Sequence, residues 1–321
     1  MRFIVYGAGA VGGVVGGRLF ESGADVVLVA RGPHLEALRS RGLTIESPKG
    51  NVTVSVPAVA DPAEVDFVGG EMVLLAMKSH DTVAALHRLG LVAPASVTVA
   101  CLQNGVQNER AALRRFPDVQ AVTVMCPAGY TEPGVVQAWS APTPGILDVG
   151  RYPLGIDEAT EALAAAFEDA GFVSLARPDV MRWKYTKLIK NLGNAVEALC
   201  PDRGAVELVS RAREEGKRCL AAAGIDYASD DEDLARRGDI LQLGDISGRV
   251  RGGSTWQSLT RGLGTVEVDY LNGEIVLLGR LRGVATPVNA LLQQLTNQQA
   301  RRGAPPGAMT SRAVLALLDR G

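Results

Sequence analysis

Lysine and asparagine side chains recur at helical spacing within residues 181–199, an otherwise apolar stretch. Lys187, Asn191 and Asn194 stand at positions i, i+4 and i+7, so on a helix that turns by about 100° per residue they form one narrow stripe. A lysine ammonium is a competent proton donor, and it also stabilises negative charge that develops on an oxygen. Amide groups on the same stripe are suited to holding the oxygens of a substrate. The stripe is therefore a candidate site for acid catalysis.

The stripe has an ordinary alternative, the solvated basic face of an amphipathic helix. Two features disfavour this alternative. Asparagine is a weak helix former with little to gain on an exposed face, and the stripe lacks the glutamates that usually pair with surface lysines one turn away. Lys184 and Lys190 lie near the two edges of the stripe, roughly 60° from its centre. We expect both to matter far less for the chemistry than Lys187.

A glycine motif near the start of the chain indicates a dinucleotide site. The segment Gly7-Ala8-Gly9-Ala10-Val11-Gly12 follows the apolar run 3–6 and precedes a helical pattern. Between a strand and a helix, the three glycines of GxGxxG allow a tight turn, close approach of a pyrophosphate and close helix–strand packing. The N–H groups at the start of the helix then bind phosphate. We predict that residues 7–12 bind a dinucleotide.

The end of the second predicted strand indicates which dinucleotide. This strand begins at Asp25 and ends in Ala30-Arg31, where NAD-specific folds carry a carboxylate for the ribose 2′-hydroxyl. A guanidinium at this place suits a 2′-phosphate. We therefore predict NADPH rather than NADH. The alternative is that Arg31 is an ordinary surface arginine.

Two further apolar runs, 72–77 and 96–102, end in Lys78 and in Gln103-Asn104-Gly105. Apolar strands that alternate with helical segments predict a parallel sheet buried on both faces. Ligands bind at the carboxyl ends of such strands, so Lys78 and Asn104 are candidate site residues. The alternatives are a solvated loop lysine and an ordinary Asn-Gly turn. A further strand is predicted at 119–125, and residues 130–150 are predicted to close the sheet as antiparallel strands.

Strand patterns nearly disappear after residue 178. Helices are predicted at 179–199, 205–223, 230–242, 253–263, 266–282 and 287–299, followed by a connector and a short last helix. We predict an α/β fold, with an N-terminal Rossmann-type parallel-sheet domain (residues 1–178) followed by an all-helical C-terminal domain (residues 179–321). The cleft between them is expected to be lined by Lys78, Asn104, Lys187, Asn191, Ser254 and Glu267.

Composition restricts the possible partners. The net charge of the 321 residues is −2, which gives no electrostatic basis for binding nucleic acid or an anionic membrane. Neither the four cysteines nor the three histidines show metal-ligand spacing, so we expect reduced thiols, no metal and a cytoplasmic protein. The N-terminus lacks the layout of a signal peptide, and no apolar run reaches the ~18 residues of a membrane span.

Taken together, these motifs resemble the ketopantoate reductase family, also called the 2-dehydropantoate 2-reductases, over nearly the whole chain. The matching elements are the GxGAxG loop, the lysine and Asn-Gly after two strands, the K-x-x-x-N of a helix and an E-x-D-x-x-N-G segment. In this sequence they are residues 7–12, Lys78, Gln103-Asn104-Gly105, Lys187 with Asn191, and residues 267–273.

The resemblance implies NADPH-dependent reduction of 2-dehydropantoate to (R)-pantoate, in pantothenate and coenzyme A biosynthesis. It implies that Lys187 is the catalytic acid and that Glu267 holds the lysine or the substrate hydroxyl. The substrate, a small 2-oxo acid, would be bound by Asn104, Asn191, Asn194 and Ser254. The cofactor would be bound by residues 7–12, Arg31, Lys78 and Asn104. A homodimer is the expected assembly.

Two positions depart from the family pattern. The loop before Ser254 is one residue longer than in the family, so Thr255 is a rival for the substrate hydroxyl contact. Family members often carry a second asparagine four residues after the first, where this chain has Ala195 and the nearest asparagine is Asn194. This second departure puts the substrate in doubt more than the reaction, so a family member that reduces another 2-oxo acid is an alternative.

Two other classes of protein are alternatives. The 3-hydroxyacid dehydrogenases also place K-x-x-x-N on the first helix of a helical domain. Those dehydrogenases usually carry G-x-G before the lysine, where this chain has residues 180–183 (VMRW). They also lack the E-x-D-x-x-N-G segment that this chain has at residues 267–273. A non-catalytic NADPH-binding protein is disfavoured by the presence of Lys187, Asn191 and Glu267.

Overall fold

A computed structural model describes residues 1–202 and 204–319 of the chain. Contacts within the chain define two compact units. The sheet unit is made of Met1–Lys184 and Ser229–Arg251, and the helical unit is made of Tyr185–Ala228 and Gly252–Gly321.

All the strands found in the described residues belong to the sheet unit. In chain order they are β1 (Arg2–Tyr6), β2 (Asp25–Val29), β3 (Leu43–Ser47), β4 (Gly50–Val54), β5 (Ala58–Val59), β6 (Met72–Leu75), β7 (Thr98–Cys101), β8 (Val119–Met125), β9 (Ala128–Glu132), β10 (Val135–Ala138) and β11 (Ile146–Arg151).

Seven of these strands form one sheet in the order β11-β8-β7-β6-β1-β2-β5. Neighbouring strands are parallel, except that β11 pairs antiparallel with β8. Counted along the parallel strands alone, the order is that of the dinucleotide-binding fold, in which ligands bind where the strand order reverses. The reversal lies between β1 and β6. The predicted Rossmann-type sheet is confirmed.

Strand β1 shows why the predicted strands are almost entirely apolar. Phe3 and Val5 pack into the core on one face of the sheet, and Ile4 and Tyr6 pack into a separate core on the other face. A parallel sheet that is covered on both faces buries every side chain of its central strands. The unbroken apolar runs of the sequence are the consequence.

The carboxyl ends of four neighbouring strands are in register at one edge of this sheet. Tyr6 of β1 pairs with Val29 of β2 and with Leu75 of β6. Leu75 also pairs with Cys101 of β7. The segments that follow these four residues therefore leave the sheet side by side, and they carry Gly7, Arg31, Lys78 and Asn104.

The remaining strands form a second sheet in the order β4-β3-β10-β9. Here β3 pairs antiparallel with β4 and parallel with β10, and β10 pairs antiparallel with β9. The prediction that residues 130–150 close the main sheet is thus confirmed for β11 and wrong for β9 and β10. The pairing of β3 with β10 joins segments far apart in the chain, which no local pattern indicates.

Helices of the described residues are, in chain order, α1 (Ala10–Glu21), α2 (Gly32–Arg41), α3 (Thr82–Leu89), α4 (Asn108–Leu113), α5 (Glu158–Asp169), α6 (Val180–Asn191), α7 (Gly193–Leu199), α8 (Ala205–Ala223), α9 (Asp230–Arg237), α10 (Ser254–Thr260), α11 (Asn272–Arg282), α12 (Pro287–Arg301) and α13 (Ser311–Leu318). Short 3₁₀ turns occur at Pro62–Glu64, Ser79–Asp81 and Glu267–Tyr270. None of the described helices is both long and apolar enough to cross a membrane.

The helix predicted over residues 179–199 is divided into α6 and α7 at Leu192. Arg213 Nη2 donates to the carbonyl of Lys190 at 3.3 Å, and Asn272 Nδ2 donates to the carbonyl of Leu192 at 3.2 Å. Carbonyls at the end of a helix need partners from outside it, and α8 and α11 supply them here. Distant side chains thus interrupt the helix where the sequence pattern continues.

The other predicted helices differ mainly at their ends. The prediction of 205–223 coincides with α8, whereas the helix predicted at 230–242 already ends at Arg237. The helix predicted at 266–282 is observed as a 3₁₀ turn followed by α11. The helical unit has no strands in its described part, so the predicted all-helical second region is confirmed.

Residues 229–251 return to the sheet unit. Arg236 of α9 lies 2.6 Å from Asp148 of β11, whose side chain is fully buried. Arg249 lies 2.8 Å from Glu46 of β3, and the Gly244 N–H donates to the Trp139 carbonyl at 3.0 Å. The chain therefore passes between the two units at more than one point. A single boundary between residues 178 and 179 would exclude residues 229–251 from the sheet unit, to which they belong.

Candidate active site

The loop after β1 is shaped by close approaches at its first and third glycines. Gly7 has a φ of +105°, and a Cβ built on it would lie 2.7 Å from the backbone nitrogen of Met77. A Cβ built on Gly12 would lie 2.2 Å from the carbonyl oxygen of Gly7. Neither position has room for a side chain, as expected from the tight turn and the close helix–strand packing of a dinucleotide loop.

The second glycine of the loop faces open space. A Cβ built on Gly9 would meet no protein atom within 4 Å, and Gly9 is the N-cap residue of α1. A ligand can therefore approach the main chain closely where the helix N-terminus favours negative charge. The geometry of the loop fits the pyrophosphate of a dinucleotide.

Arg31 is exposed and stands at the N-cap of α2, directly beyond the end of β2. Burial raises the pKa of Tyr6 at the end of β1, and the guanidinium of Arg31 acts in the opposite direction. Asp61 contributes a carboxylate at this edge, but Arg88 Nε donates to its Oδ1 at 2.8 Å and is the main cause of its lowered pKa. Arg31 therefore presents a positive charge that is suited to an anion.

Lys78 and Asn104 follow the adjacent strands β6 and β7, and hydrogen bonds join the two turns. Gln103 Nε2 donates to the carbonyl of Met77 at 2.8 Å, and Asn108 Nδ2 donates to Ser79 Oγ at 3.2 Å. Both Lys78 and Asn104 are half-buried. The expectation that they lie at the same edge of the sheet is confirmed.

Lys184 does not lie at the edge of a polar stripe. Its ammonium is buried in the sheet unit, 2.6 Å from Glu109 Oε1, and it donates to the carbonyls of Gln103 at 2.9 Å and Val122 at 3.2 Å. The helical wheel gives the angle of Lys184 on α6 but not which residues of the sheet unit pack against it. No sequence signal marks Glu109 as its partner.

Lys187 and Asn191 lie one turn apart on α6, and Asn191 is the last residue of that helix. Lys187 is half-buried and Asn191 is buried. A solvated basic face would leave both side chains exposed, so their burial disfavours that alternative. Glu267, which begins the 3₁₀ turn before α11, is buried as well.

Asn194 lies on α7, beyond the break at Leu192, so the i+7 spacing from Lys187 does not fix its direction. Its Nδ2 lies within hydrogen-bonding range of Ser254 Oγ, at 3.5 Å. Ser254 begins α10 and is half-buried, whereas Thr255 is buried. The contact joins two of the predicted substrate ligands and favours Ser254 over Thr255. Ala195 is 1% exposed, and its methyl group is part of the hydrophobic core.

The predicted site residues fall into two groups. Those at the edge of the main sheet belong to the sheet unit, and Lys187, Asn191, Asn194, Ser254 and Glu267 belong to the helical unit. Their assembly into one cleft stays a prediction. Over residues 1–202 and 204–319, no group of His, Cys, Asp and Glu side chains is arranged to hold a metal ion.

Comparison with known families gives matches over most of the chain. Residues 3–153 match the family described as ketopantoate reductase PanE/ApbA, and residues 179–300 match the family described as ketopantoate reductase PanE/ApbA C terminal. The 2-dehydropantoate 2-reductase of Pyrococcus horikoshii is 31% identical, over 94% of this chain and 99% of that protein. The enzyme of the same name from Halobacterium salinarum is also 31% identical, over 94% of this chain and 100% of that protein.

Solved structures with the same fold were also found. A PanE/ApbA family ketopantoate reductase from Ralstonia eutropha has a TM-score of 0.77 at 28% identity, covering 94% of this chain and 99% of that one. D-mandelate dehydrogenase, in a complex with NADH and anilino(oxo)acetate, has a TM-score of 0.81 at 23% identity with the same coverage. At that identity the second likeness shows the fold alone.

Proposed function

The chain belongs to the ketopantoate reductase family, and from this premise we propose that it reduces 2-dehydropantoate to (R)-pantoate with NADPH, in pantothenate and coenzyme A biosynthesis. Membership makes it an oxidoreductase of this family. The named substrate and the preference for NADPH go beyond membership. The observation that carries the proposal is that Asn191 and Glu267 are buried and Lys187 is half-buried, because removing amide and charged groups from water costs free energy that an exposed basic face would not incur.

Cofactor binding is assigned to the edge of the main sheet. The loop of residues 7–12 binds the pyrophosphate at the N-terminus of α1, since Gly9 leaves this loop open to a ligand. Arg31 binds the 2′-phosphate, and Lys78 and Asn104 bind the cofactor beyond the ends of β6 and β7. The hydride for the carbonyl carbon comes from NADPH when it is bound.

Proton transfer is assigned to the helical unit. Lys187 donates a proton to the carbonyl oxygen of the 2-oxo acid, and its ammonium stabilises the alkoxide as negative charge develops there. Asn104, Asn191, Asn194 and Ser254 hold the oxygens of the substrate. Glu267 holds the ammonium or the substrate hydroxyl in place. Each of these roles uses a side chain that is buried or half-buried.

A second candidate is the reduction of another 2-oxo acid by the same residues. Ala195 favours it, because this chain has a buried methyl group where family members often have a second asparagine. A changed amide contact alters which side chain the site accepts, whereas Lys187 and the dinucleotide loop keep the reaction the same. The two candidates therefore differ in substrate and not in mechanism.

The deciding experiment is an NADPH-oxidation screen over a panel of 2-oxo acids that includes 2-dehydropantoate, repeated with NADH. We expect the highest kcat/KM for 2-dehydropantoate with NADPH. The Lys187→Ala variant, purified in parallel, controls for contaminating reductases. Oxidation of 3-hydroxy acids with NADP, measured in the same plates, tests the 3-hydroxyacid dehydrogenase alternative.

The outcomes separate the alternatives. Faster turnover of a different 2-oxo acid would show that 2-dehydropantoate is not the preferred substrate, and it would leave the proposed mechanism unchanged. Turnover of any 2-oxo acid that is lost in Lys187→Ala would exclude a non-catalytic NADPH-binding protein. If no 2-oxo acid is reduced with either cofactor, the proposed function is wrong.

A further inference from the structure

His34 is a buried histidine in direct contact with the dinucleotide loop. It lies in the first turn of α2, three residues after Arg31, and is 7% exposed. Its Nε2 is 2.7 Å from the carbonyl oxygen of Ala8, and its Nδ1 accepts from the N–H of Gly134 at 2.9 Å. Gly134 belongs to the turn between β9 and β10, so His34 links the loop of the main sheet to the second sheet.

The two contacts define the protonation state of the ring. A backbone N–H can only donate, so Nδ1 must present its lone pair to Gly134. In a neutral imidazole the proton then sits on Nε2, which donates it to the Ala8 carbonyl. A second proton would have to enter at Nδ1, where it would face the N–H of Gly134. The contacts are therefore compatible with neutral His34 only.

The contact with Ala8 fixes the direction of one N–H group in the loop. The Ala8–Gly9 peptide is planar and trans, so its C=O and N–H groups point in opposite directions. Since the carbonyl points at His34, the N–H of Gly9 points away from the imidazole. Gly9 is the residue at which the loop is open to a ligand.

We propose that neutral His34 is a positioning residue for the cofactor, which orients the Ala8–Gly9 peptide so that the N–H of Gly9 is directed at the pyrophosphate. This inference rests on the proposed dinucleotide-binding function. It adds a residue outside the glycine motif on which cofactor affinity depends, and it makes that affinity sensitive to pH.

Burial is the main cause of the lowered pKa of His34, and the contact with Ala8 works against it. From the elements packed against the imidazole, the ring of Tyr130 on β9 faces it at 4.8 Å. Arg41 of α2 donates from Nη2 to the carbonyl of Pro133, beside Gly134. A histidine whose folded pKa lies below its unfolded value of about 6.5 adds stability at higher pH and loses it as pH falls toward the folded pKa. Cofactor affinity should fall as the pH passes through the folded pKa of His34, which lies below about 6.5, because the folded ring takes up a second proton only there.

Two variants separate the two contacts of His34. His34→Gln keeps an amide N–H near the place of Nε2 and does not titrate. His34→Asn keeps an acceptor near the place of Nδ1 and loses the donor to Ala8. His87→Gln is the matched control, because His87 is an exposed histidine on α3.

The measurement is the Kd of NADH and of NADPH at a series of pH values, from about pH 8 down through the ordinary histidine pKa of about 6.5 to the most acidic pH at which the protein stays folded. NADH is included because it lacks the 2′-phosphate, a group that itself titrates near pH 6. In the wild-type protein and in His87→Gln, we expect the Kd of NADH to rise about three- to tenfold on acidification, the range of one hydrogen bond.

His34→Gln should bind NADH at about pH 8 within twofold of the wild-type affinity, and should lose most of the change on acidification. His34→Asn should bind both dinucleotides about three- to tenfold more weakly even at the higher pH, with kcat at saturating cofactor unchanged. A merely structural role would lower the Tm of both variants without separating their Kd values.

Equal pH dependence of the NADH Kd in the wild-type protein and in His34→Gln would overturn the inference and leave the proposed function intact. Equal Kd values for His34→Asn and His34→Gln at the higher pH would also overturn it. Failure of the wild-type protein to bind either dinucleotide at any pH would overturn the proposed function, and this inference with it.

Discussion

Substitution of Lys187 separates chemistry from cofactor binding at the scale of single residues. Lys187→Ala should lower kcat by about 10²–10⁴-fold, the usual loss of a general acid, and by more if the same charge stabilises the alkoxide. The Kd of NADPH should stay near its wild-type value, because residues 7–12 and Arg31 belong to the sheet unit. Single-turnover kinetics with a direct binding measurement would check both values.

Lys190→Ala is the control for this prediction, because Lys190 is a half-buried lysine on the same helix. It should cost far less activity than Lys187→Ala. A near-normal kcat in Lys187→Ala, or loss of activity in Lys190→Ala, would contradict the assignment of the acid.

Arg31 should determine the choice between the two nicotinamide cofactors. We expect NADPH to bind more tightly than NADH by on the order of 2 kcal/mol, as a charge-assisted contact to phosphate provides. Arg31→Ala should remove most of this preference by weakening NADPH alone. Arg39→Ala is the matched control, since Arg39 is a partly exposed arginine of α2 that pairs with Glu64 at 3.1 Å. Equal Kd values for the two cofactors in the wild-type protein would contradict the prediction.

Lys184→Ala should lower the stability of the folded protein markedly, although the position of Lys184 on the helical wheel predicts only a small effect of this substitution. The substitution leaves the buried carboxylate of Glu109 without its ion-pair partner, at a cost of about 3–5 kcal/mol. Denaturant unfolding would measure the loss. The double variant Lys184→Met with Glu109→Leu should recover much of it, because a buried pair can be replaced by apolar side chains of similar volume. Wild-type stability in Lys184→Ala would show that the pair contributes nothing.

The sequence indicated residue types and spacings but not the partners of buried polar groups. Gly7 and Gly12 could be predicted because a backbone that approaches this closely excludes every side chain. The burial of Lys184 and His34 could not, because their partners, Glu109 and the main chain of Ala8 and Gly134, are distant in the chain. Long-range pairing of polar groups leaves no local pattern.

At the scale of secondary-structure elements, the start of α10 should select the substrate. Ser254→Ala should raise the KM for the 2-oxo acid about three- to tenfold, the range of one hydrogen bond, with a smaller change in kcat. Thr255→Val removes the neighbouring hydroxyl, which is buried, at constant shape and should leave KM near its wild-type value. A larger rise in KM for Thr255→Val than for Ser254→Ala would reverse the assignment.

Elements whose pattern is local were predicted closely, and elements that depend on distant contacts were not. The amphipathic period of α8 and the apolar run of β8 were each predicted at their observed bounds. The division at Leu192 was missed, because Arg213 and Asn272 satisfy carbonyls of the helix from outside it. The second sheet was missed for the same reason, since β3 pairs with β10 across a long stretch of chain.

At the scale of the whole chain, the sheet unit is made of two separate segments, because the chain passes through the helical unit and then contributes residues 229–251 to the sheet unit. Residues 229–251 are attached to it through Arg236, which lies 2.9 and 2.6 Å from the two carboxylate oxygens of Asp148. Arg249 binds both oxygens of Glu46 at 2.8 Å. The helical periodicity of α9 gives no hint of this attachment, because it depends on single arginines whose partners lie on β11 and β3.

Loss of one attachment should loosen this segment without unfolding the protein. In Arg236→Ala, Arg177 still pairs with Asp148 at 2.7 Å, so the buried carboxylate keeps a partner. The expected loss of stability is therefore that of a hydrogen bond to a charged group, about 1.5–3 kcal/mol. Limited proteolysis should cut residues 238–251 faster than in the wild-type protein, since cleavage follows the population of locally opened states.

Arg237→Ala is the matched control for Arg236→Ala. Arg237 is the neighbouring residue of α9 and pairs at 2.8 Å with Asp233 of the same helix, so its loss leaves the attachment to β11 in place. Cleavage in this control should stay near the wild-type rate, and Arg236→Ala combined with Arg249→Ala should be cut fastest. Equal cleavage rates in Arg236→Ala and Arg237→Ala would show that the Asp148 contact does not hold the segment. Faster cleavage in the double variant alone would show that the Arg249 contact with Glu46 holds the segment when the Arg236 contact is lost.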